Sequence, residues 1–164
     1  MITIGIDPGL KGGIVALTGQ NEIFDYEPMF LSPGDKDVDS GAIVAFLERI
    51  KRDSGDDITV YLEAAQVRHT MGATASMTVG KNYGRLLACL EIGKYRHIIV
   101  AASKWTKFAH SGVDTRLEAK DKSMVAFKRL FPEVNFILHR CRKPHDGLVD
   151  ALLIAYYGAN SKRK

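Results

Sequence analysis

The segment MITIGIDPGLKGGIVAL, residues 1–17, decides the fold. Met1–Asp7 alternates isoleucine with other residues, which is typical of a strand with one buried face. Proline and glycines at positions 8–13 predict a turn, and Ile14–Leu17 a second strand joined to the first as a hairpin. The first strand therefore ends on a carboxylate, Asp7, at the beginning of a glycine-rich turn.

The remaining pattern alternates strands with helices. It predicts an α/β domain with a five-stranded mixed sheet flanked by helices, in which three antiparallel strands precede parallel strands on βαβ crossovers. Further strands are predicted at Glu22–Glu27, Ile58–Glu63 and His97–Ala101, with a short one at Asn135–Leu138. Helices are predicted at Ser40–Arg52, Ala73–Leu90, Glu118–Phe131 and His145–Tyr157.

Composition is that of a globular protein of about one domain. The chain has 164 residues, of which 46% are hydrophobic and 26% charged. No stretch is long and apolar enough for a membrane span, and the N-terminus does not resemble a signal peptide. Cys89 and Cys141 are not in a CxxC pattern, so we expect two structural thiols in a reduced, cytoplasmic protein.

Charge is distributed unevenly along the chain. Residues 1–63 carry a net charge of −7, whereas residues 94–143 contain 12 Lys/Arg and 4 Asp/Glu, a net charge of +8. A basic stretch of this size is either a polyanion-binding surface or simply a solvated face. Charge alone does not decide between them.

Four carboxylates stand at positions where carboxylates are costly. Asp7 and Glu63 each end an apolar strand, and parallel neighbours would bring both to the carboxyl edge of the sheet, where α/β proteins bind ligands. Asp146 and Asp150 are four residues apart on one face of the last helix, which is otherwise apolar almost all round and therefore predicted to be buried.

Four buried carboxylates facing one another would repel strongly, and divalent cations would relieve that repulsion. Oxygen ligands favour Mg²⁺, with Mn²⁺ as a substitute. Two metal ions bridged by carboxylates suit phosphodiester hydrolysis, because one activates water and the other stabilises the leaving oxygen.

Each acid also has a structural explanation. Asp7 could cap a turn, Glu63 could pair with Arg68 or Lys81, and Asp146 could favour the helix dipole. Asp150, among aliphatic neighbours, is the hardest to explain this way. His145, beside these acids, either orients a water or phosphate or only starts the helix.

The motifs together resemble a known family. Ile4-Gly-Ile-Asp7-Pro-Gly9-Leu, Tyr61-Leu-Glu63 and Asp146-Gly-Leu-Val-Asp150-Ala-Leu-Leu-Ile-Ala are similar to the catalytic segments of RuvC-type Holliday junction resolvases, which have an RNase H-like fold. The resemblance covers nearly the whole chain. Its pattern is nearest to the phage- and chloroplast-like branch, which suggests a bacterial or phage-infected cell.

The resemblance implies a homodimer that binds a four-way or otherwise branched DNA and makes symmetric paired nicks with Mg²⁺. Asp7, Glu63 and Asp150 match the family's metal-binding acids. The fourth acid usually lies three residues before the last, where this chain has Gly147. Asp146, four before, is the expected replacement, with His145 as the alternative ligand.

The resemblance extends to two basic motifs within the +8 segment. Ser103-Lys-Trp105-Thr-Lys107 and Lys120-Asp-Lys122-Ser123 resemble motifs of the phage-like branch. They support phosphate contacts by Lys104, Lys107, Lys120 and Lys122. We expect the Trp105 ring to pack in the core.

The region after Glu63 departs from bacterial RuvC, because Gln66–Gly72 contains no aromatic residue. Met71, His69 or Arg68 is the candidate wedge at the junction centre. The following helix matches the family's dimer-forming helix flanking the DNA, and with Arg68 it contributes Lys81 and Arg85 to the expected DNA contacts. Gly80 and Gly84 on this helix indicate close packing, either against a second subunit or within the chain.

We therefore predict an RNase H-like nuclease domain at residues 1–158 and a basic tail at residues 159–164. Alternatives are an RNase H-like nuclease for other branched DNA or RNA–DNA hybrids, an actin-like ATP-binding protein, and a DNA-binding scaffold without activity. The Asp-Pro-Gly turn alone is weak support for ATP binding, and a two-lobed ATPase needs about twice this length.

Overall fold

The computed structural model describes residues 1–34, 36–67 and 69–161. Its element order alternates as the sequence predicts. The strands are β1 Ile2–Asp7, β2 Gly13–Leu17, β3 Ile23–Pro28, β4 Ile58–Glu63 and β5 Arg96–Val100; the helices are α1 Ser40–Ser54, α2 Ala73–Ile92, α3 Ala102–Ala109, α4 Ala119–Leu130 and α5 Asp146–Asn160.

The strands form one mixed sheet in the order β3-β2-β1-β4-β5. The pairs β1–β2 and β2–β3 are antiparallel, whereas β1–β4 and β4–β5 are parallel. The register pairs Ile6 with Leu62, so Asp7 and Glu63, which follow them, leave neighbouring strands at the same edge. The predicted sheet and the predicted placement of these two acids are confirmed.

Helices cover both faces of the sheet. On one face, α1 and α2 pack on the even-numbered side chains of β1 and β4. On the other face lies α5, with α3 and α4 outside it. The site described below lies where the edge of the sheet meets the N-terminal half of α5.

Helix α5 is buried among apolar side chains, as its composition predicts. It crosses β1 at Gly5, where a Cβ atom would lie 2.1 Å from the Ala151 carbonyl oxygen and 2.4 Å from the Ala155 nitrogen. Only glycine allows this close approach of helix to strand. The approach fixes the position of Asp150, one residue before Ala151, relative to the end of β1.

One local prediction is wrong, and one helix was not predicted. The structure has no strand at residues 135–138: the Asn135 side chain accepts a hydrogen bond from the Ile137 N–H at 2.9 Å, so a local turn replaces the strand ladder. Helix α3 was not predicted, because it is only eight residues long and buries just Trp105 and Ala109.

The two thiols differ, since Cys89 is buried and Cys141 is exposed. The prediction of two structural thiols therefore holds for Cys89 only. Within the described residues, none of the helices has the length and apolar character needed to cross a membrane. Residues 162–164 of the predicted tail lie outside the described part of the chain, while Ala159 and Asn160 still belong to α5.

Candidate active site

Asp7 stands at the end of β1 and is largely enclosed. The Gly9 N–H donates a hydrogen bond to Asp7 Oδ1 at 3.1 Å, so the turn after the strand holds the carboxylate in place. Burial raises the pKa of Asp7, while the Gly9 hydrogen bond and nearby His145 partly oppose this effect. Asp7 thus caps the turn, as the structural explanation held, and also faces the other acids.

Glu63 leaves β4 beside Asp7. Burial, followed by the negative charges of Asp7 and Asp150, raises the pKa of Glu63 to about 7. The indole of Trp105 lies near enough to lower this pKa slightly, although its Nε1 does not reach hydrogen-bonding geometry. Glu63 is therefore influenced by both of the other enclosed acids.

Asp150 faces these two acids from α5. Burial raises its pKa to about 6, the charges of Asp7 and Asp146 add to the rise, and the Ser123 hydroxyl opposes it. Its Oδ1 atom is buried without a hydrogen-bond partner among the described residues. A buried carboxylate oxygen without a partner is costly unless a cation or another donor occupies the position beside it.

Three acids from three elements thus meet at one edge of the fold: the charge of Asp7 raises the pKa of both Glu63 and Asp150, and the charge of Asp150 raises the pKa of Glu63. In the described residues, no three His, Cys, Asp or Glu side chains are grouped closely enough, as they stand, to hold one metal ion. The donor set nevertheless fits a hard divalent cation, because it consists of carboxylates and includes a buried oxygen without a partner.

Asp146 has a different environment from Asp150. It begins α5, and its side chain is 57% exposed. Its Oδ2 forms an ion pair with Lys120 Nζ at 2.9 Å. The structural explanation by the helix dipole therefore suits Asp146, whereas Asp150 is enclosed with the other two acids.

Gly147, where the family usually has an acid, has no room for a side chain. A Cβ atom there would lie 2.2 Å from the Lys11 carbonyl oxygen and 2.5 Å from Gly12 Cα. His145 caps α5, and its Nδ1 accepts a hydrogen bond from the Leu148 N–H at 3.2 Å. His145 thus starts the helix, as one of its two interpretations holds, and its role toward a water or phosphate stays a prediction.

The predicted DNA-binding residues have different surroundings. Lys81 and Arg85 both pair with Asp37, at 2.5 and 3.6 Å, and Arg85 also donates to the Val38 carbonyl. Lys104 and Lys107 are exposed on α3, and Lys122 is partly exposed on α4. Lys120 pairs with Asp146 as described above, and Arg68 lies outside the described residues.

Part of the surface of helix α2 is exposed in the described part of the chain. Gly80 and Gly84 have nothing within 4 Å of an added Cβ, and neighbouring Met77 is 75% exposed. Among the described residues nothing packs on these two glycines, and the second subunit stays a prediction.

A cleft of about 290 Å³ separates α2 from the acidic edge. Asp7 and Glu63 line one side, and Val79 and Tyr83 line the other. Tyr83 supplies an aromatic ring near the acids that the segment after Glu63 lacks. Sequence analysis missed it because its signal, a single tyrosine on a helix, resembles ordinary core packing.

Sequence analysis also missed a pair of polar side chains behind the acids. His110 Nε2 lies 3.2 Å from Ser123 Oγ, and Ser123 in turn is the residue that opposes the rise in the Asp150 pKa. Ser123 was part of a quoted motif, but nothing in the sequence pointed to His110. Trp105 is 3% exposed, which confirms its predicted core packing.

The sheet order, the crossover helices and the acids at the strand ends define an RNase H-like α/β domain. Two solved structures of RuvC resemble it. One is Thermus thermophilus RuvC in complex with a Holliday junction substrate, with a TM-score of 0.64 and 18% identity over 99% of this chain and 96% of that chain. Another Thermus thermophilus RuvC structure has a TM-score of 0.60 and 20% identity over the same shares.

The yeast mitochondrial Holliday junction resolvase Ydc2 is a weaker match, with a TM-score of 0.48 and 12% identity over 93% of this chain and 75% of that chain. No protein-family model and no curated protein sequence matches the chain. The RuvC-like fold predicted from the motifs is confirmed.

Proposed function

We propose that the protein is a divalent-metal-dependent endonuclease that resolves four-way DNA junctions. The observation that carries the proposal is the convergence of Asp7, Glu63 and Asp150 at one edge of a RuvC-like fold. Three enclosed carboxylates whose pKa values are all raised by burial favour a site where a cation neutralises them.

Asp7, Glu63 and Asp150 would hold Mg²⁺, or Mn²⁺ in its place. When bound, such a cation lowers the pKa of a water molecule and stabilises charge on a phosphodiester oxygen. The protein's own contribution is positional: the turn at Gly9 fixes Asp7, the end of β4 fixes Glu63, and α5 fixes Asp150. Asp146 is the remaining candidate, and its ion pair with Lys120 would have to open for it to reach a cation.

Positive charge on α3 and α4 supports a nucleic-acid substrate. Lys104, Lys107 and Arg129 line a groove of about 570 Å³ together with Phe108 and Tyr157. Basic side chains interleaved with aromatic rings are typical of nucleic-acid surfaces. The similar RuvC complex holds a Holliday junction, so we infer that a branched DNA lies across this side of the protein.

We further propose a homodimer formed through α2. Two opposed cuts at one junction need two sites, and a dimer with two-fold symmetry provides them. Gly80 and Gly84 leave open space on α2, and Met77 is exposed beside them. A second α2 packed there would cover the apolar side chain and use the small residues for close approach.

The test compares a mobile four-way junction, a linear duplex and an RNA–DNA hybrid of matched length, each with Mg²⁺ or EDTA. We expect cleavage of the junction only, and only with Mg²⁺. Asp7→Asn should bind the junction without cutting it. Cleavage of the hybrid instead would favour the other RNase H-like activity, and binding without cleavage by the native chain would favour a scaffold.

A further inference from the structure

Helices α3 and α4 place three buried or half-buried side chains directly behind the acids. Ser123, on α4, is 7% exposed, and Trp105, on α3, is 3% exposed. His110, which ends α3, lies between them: its Nε2 is 3.2 Å from Ser123 Oγ, and its ring meets the Trp105 ring edge-on, with 6.0 Å between centroids and 81° between planes.

The direction of the hydrogen bonds follows from the available protons. A serine hydroxyl has one proton, and an ionised carboxylate can only accept, so Ser123 donates toward Asp150. Its oxygen must then accept from His110, which requires a proton on Nε2 of the His110 ring. Burial and the charges of Lys122 and Arg129 lower the pKa of His110, so the ring is neutral near pH 7.

Trp105 serves the other acid. Its Nε1 is buried and has no hydrogen-bond partner among the described residues, yet it lies close enough to Glu63 to affect that carboxylate. A buried N–H without a partner is costly, and a small movement of Glu63 toward it would remove the cost. The Ser123 hydroxyl on α4 is thus the donor beside Asp150, whereas the Trp105 indole lies beside Glu63 without a hydrogen bond.

We propose that His110 is a positioning residue that holds Ser123 by a hydrogen bond, with its ring packed against Trp105, so that the Ser123 hydroxyl orients Asp150. Ser123 occupies part of the Asp150 carboxylate and leaves Oδ1 for another ligand. The role of these acids in catalysis rests on the proposed function, whereas the hydrogen-bonded chain does not. Partners of this kind orient a metal-binding carboxylate and typically change metal affinity about 10–100-fold when removed.

The first test needs no nuclease activity. In the metal-free protein with ¹⁵N-labelled histidine, NMR should show His110 as the neutral Nε2–H form with a slowly exchanging proton. Ser123→Ala should speed the exchange of that proton, and Asp150→Asn should shift the His110 signals. Asp146→Asn is the matched control, four residues away on the same helix, and should leave them unchanged. A His110 proton on Nδ1, or signals indifferent to both Ser123→Ala and Asp150→Asn, would overturn the proposal.

The second test measures Mn²⁺ binding by calorimetry and, separately, junction cleavage against Mg²⁺ concentration. His110→Phe and Ser123→Ala should weaken Mn²⁺ binding about tenfold and shift cleavage to higher Mg²⁺. His110→Gln and Ser123→Thr, which keep a donor in place, should recover most of the loss. Ser111→Ala, an exposed serine nearby, is the control, and circular dichroism with thermal melting checks folding.

Equal Mn²⁺ binding by His110→Phe, Ser123→Ala and the native chain would contradict the proposal. Loss without rescue by the conservative variants would assign these residues to packing and also overturn it. If no junction is cut but the NMR signals behave as expected, the proposed function fails and the positioning chain stands.

Discussion

Asp146 and Asp150 lie one turn apart on α5, yet only Asp150 is enclosed with the acids of the sheet. Asp146 is exposed and paired with Lys120, whereas Asp150 has a buried oxygen without a partner. Helix α5 approaches the sheet closely at Gly5, beside Ala151 and Ala155, so Asp150 lies nearer to this approach than Asp146, one turn earlier. The two carboxylates should therefore differ in function.

Replacing the two acids separately tests this difference. Asp150→Asn should reduce the rate of junction cleavage by more than about a hundredfold, because it removes an expected metal ligand. Asp146→Asn should reduce it by less than about tenfold, since the side chain is already paired outside the enclosed set. Rates under single-turnover conditions at saturating Mg²⁺ give the comparison. Equal losses in the two variants would show that Asp146 moves into the site.

A second prediction concerns pH and stability. The pKa of Glu63 is raised to about 7 in the folded protein, above its ordinary value of 4.5. The folded state therefore binds the proton more tightly, and this contribution to stability is present below about pH 4.5 and lost as pH rises through about 7. Glu63→Gln mimics the protonated acid, so it should stabilise the protein above that window.

Urea unfolding in EDTA measures the effect. Glu63→Gln should be about 1–2 kcal/mol more stable than the native chain near pH 8, and the gap should disappear near pH 4.5; the figure allows for partial exposure of the side chain to water. Glu133→Gln, at an exposed position after α4, should show no comparable gap. A gap that grew toward acid pH would contradict the account.

A third prediction concerns α2. Gly84→Arg should convert a dimer into a monomer in light scattering without loss of helical circular dichroism, because an added side chain meets nothing within the chain. Ala45→Arg, at an exposed position on α1, should leave the dimer intact. If the native chain is monomeric at working concentrations, Gly84→Ala should instead only stabilise α2, by about 1 kcal/mol, and the proposed dimer would be wrong.

A fourth prediction concerns the exposed lysines of α3. Lys104→Ala with Lys107→Ala should weaken junction binding and reduce the slope of affinity against salt concentration by about one for each lost phosphate contact. Lys51→Ala with Arg52→Ala removes the same charge from α1, on the opposite face of the sheet, and should leave the slope unchanged. Equal slopes in both double variants would place the DNA elsewhere.

Strand ends and the apolar last helix made most of the site predictable. Asp7 and Glu63 follow buried strands, and parallel pairing of those strands requires both acids at one edge. Asp150 could be inferred because a carboxylate within an apolar helix has few structural explanations. These inferences depend only on local pattern and on sheet geometry.

What could not be predicted depends on contacts between distant segments. The bond between His110 and Ser123 joins the end of a short helix, whose pattern was too brief to detect, to α4, 13 residues later. The sequence places Asp146 and Asp150 on one helix face, and it does not show the ion pair with Lys120 that separates Asp146 from the enclosed acids. The pairing of Lys81 and Arg85 with Asp37 likewise joins α2 to a loop more than 40 residues earlier.

Cleavage of a supercoiled plasmid that extrudes a cruciform tests the central claim most directly. With Mg²⁺, the native chain should convert the plasmid straight to the linear form, because two opposed cuts occur within one binding event, and strand mapping should place them symmetrically about the branch. Asp7→Asn and Asp150→Asn should leave the plasmid supercoiled while still binding it. Nicked circles alone, cuts away from the branch, or cleavage by either variant would contradict a paired junction nuclease built on these acids.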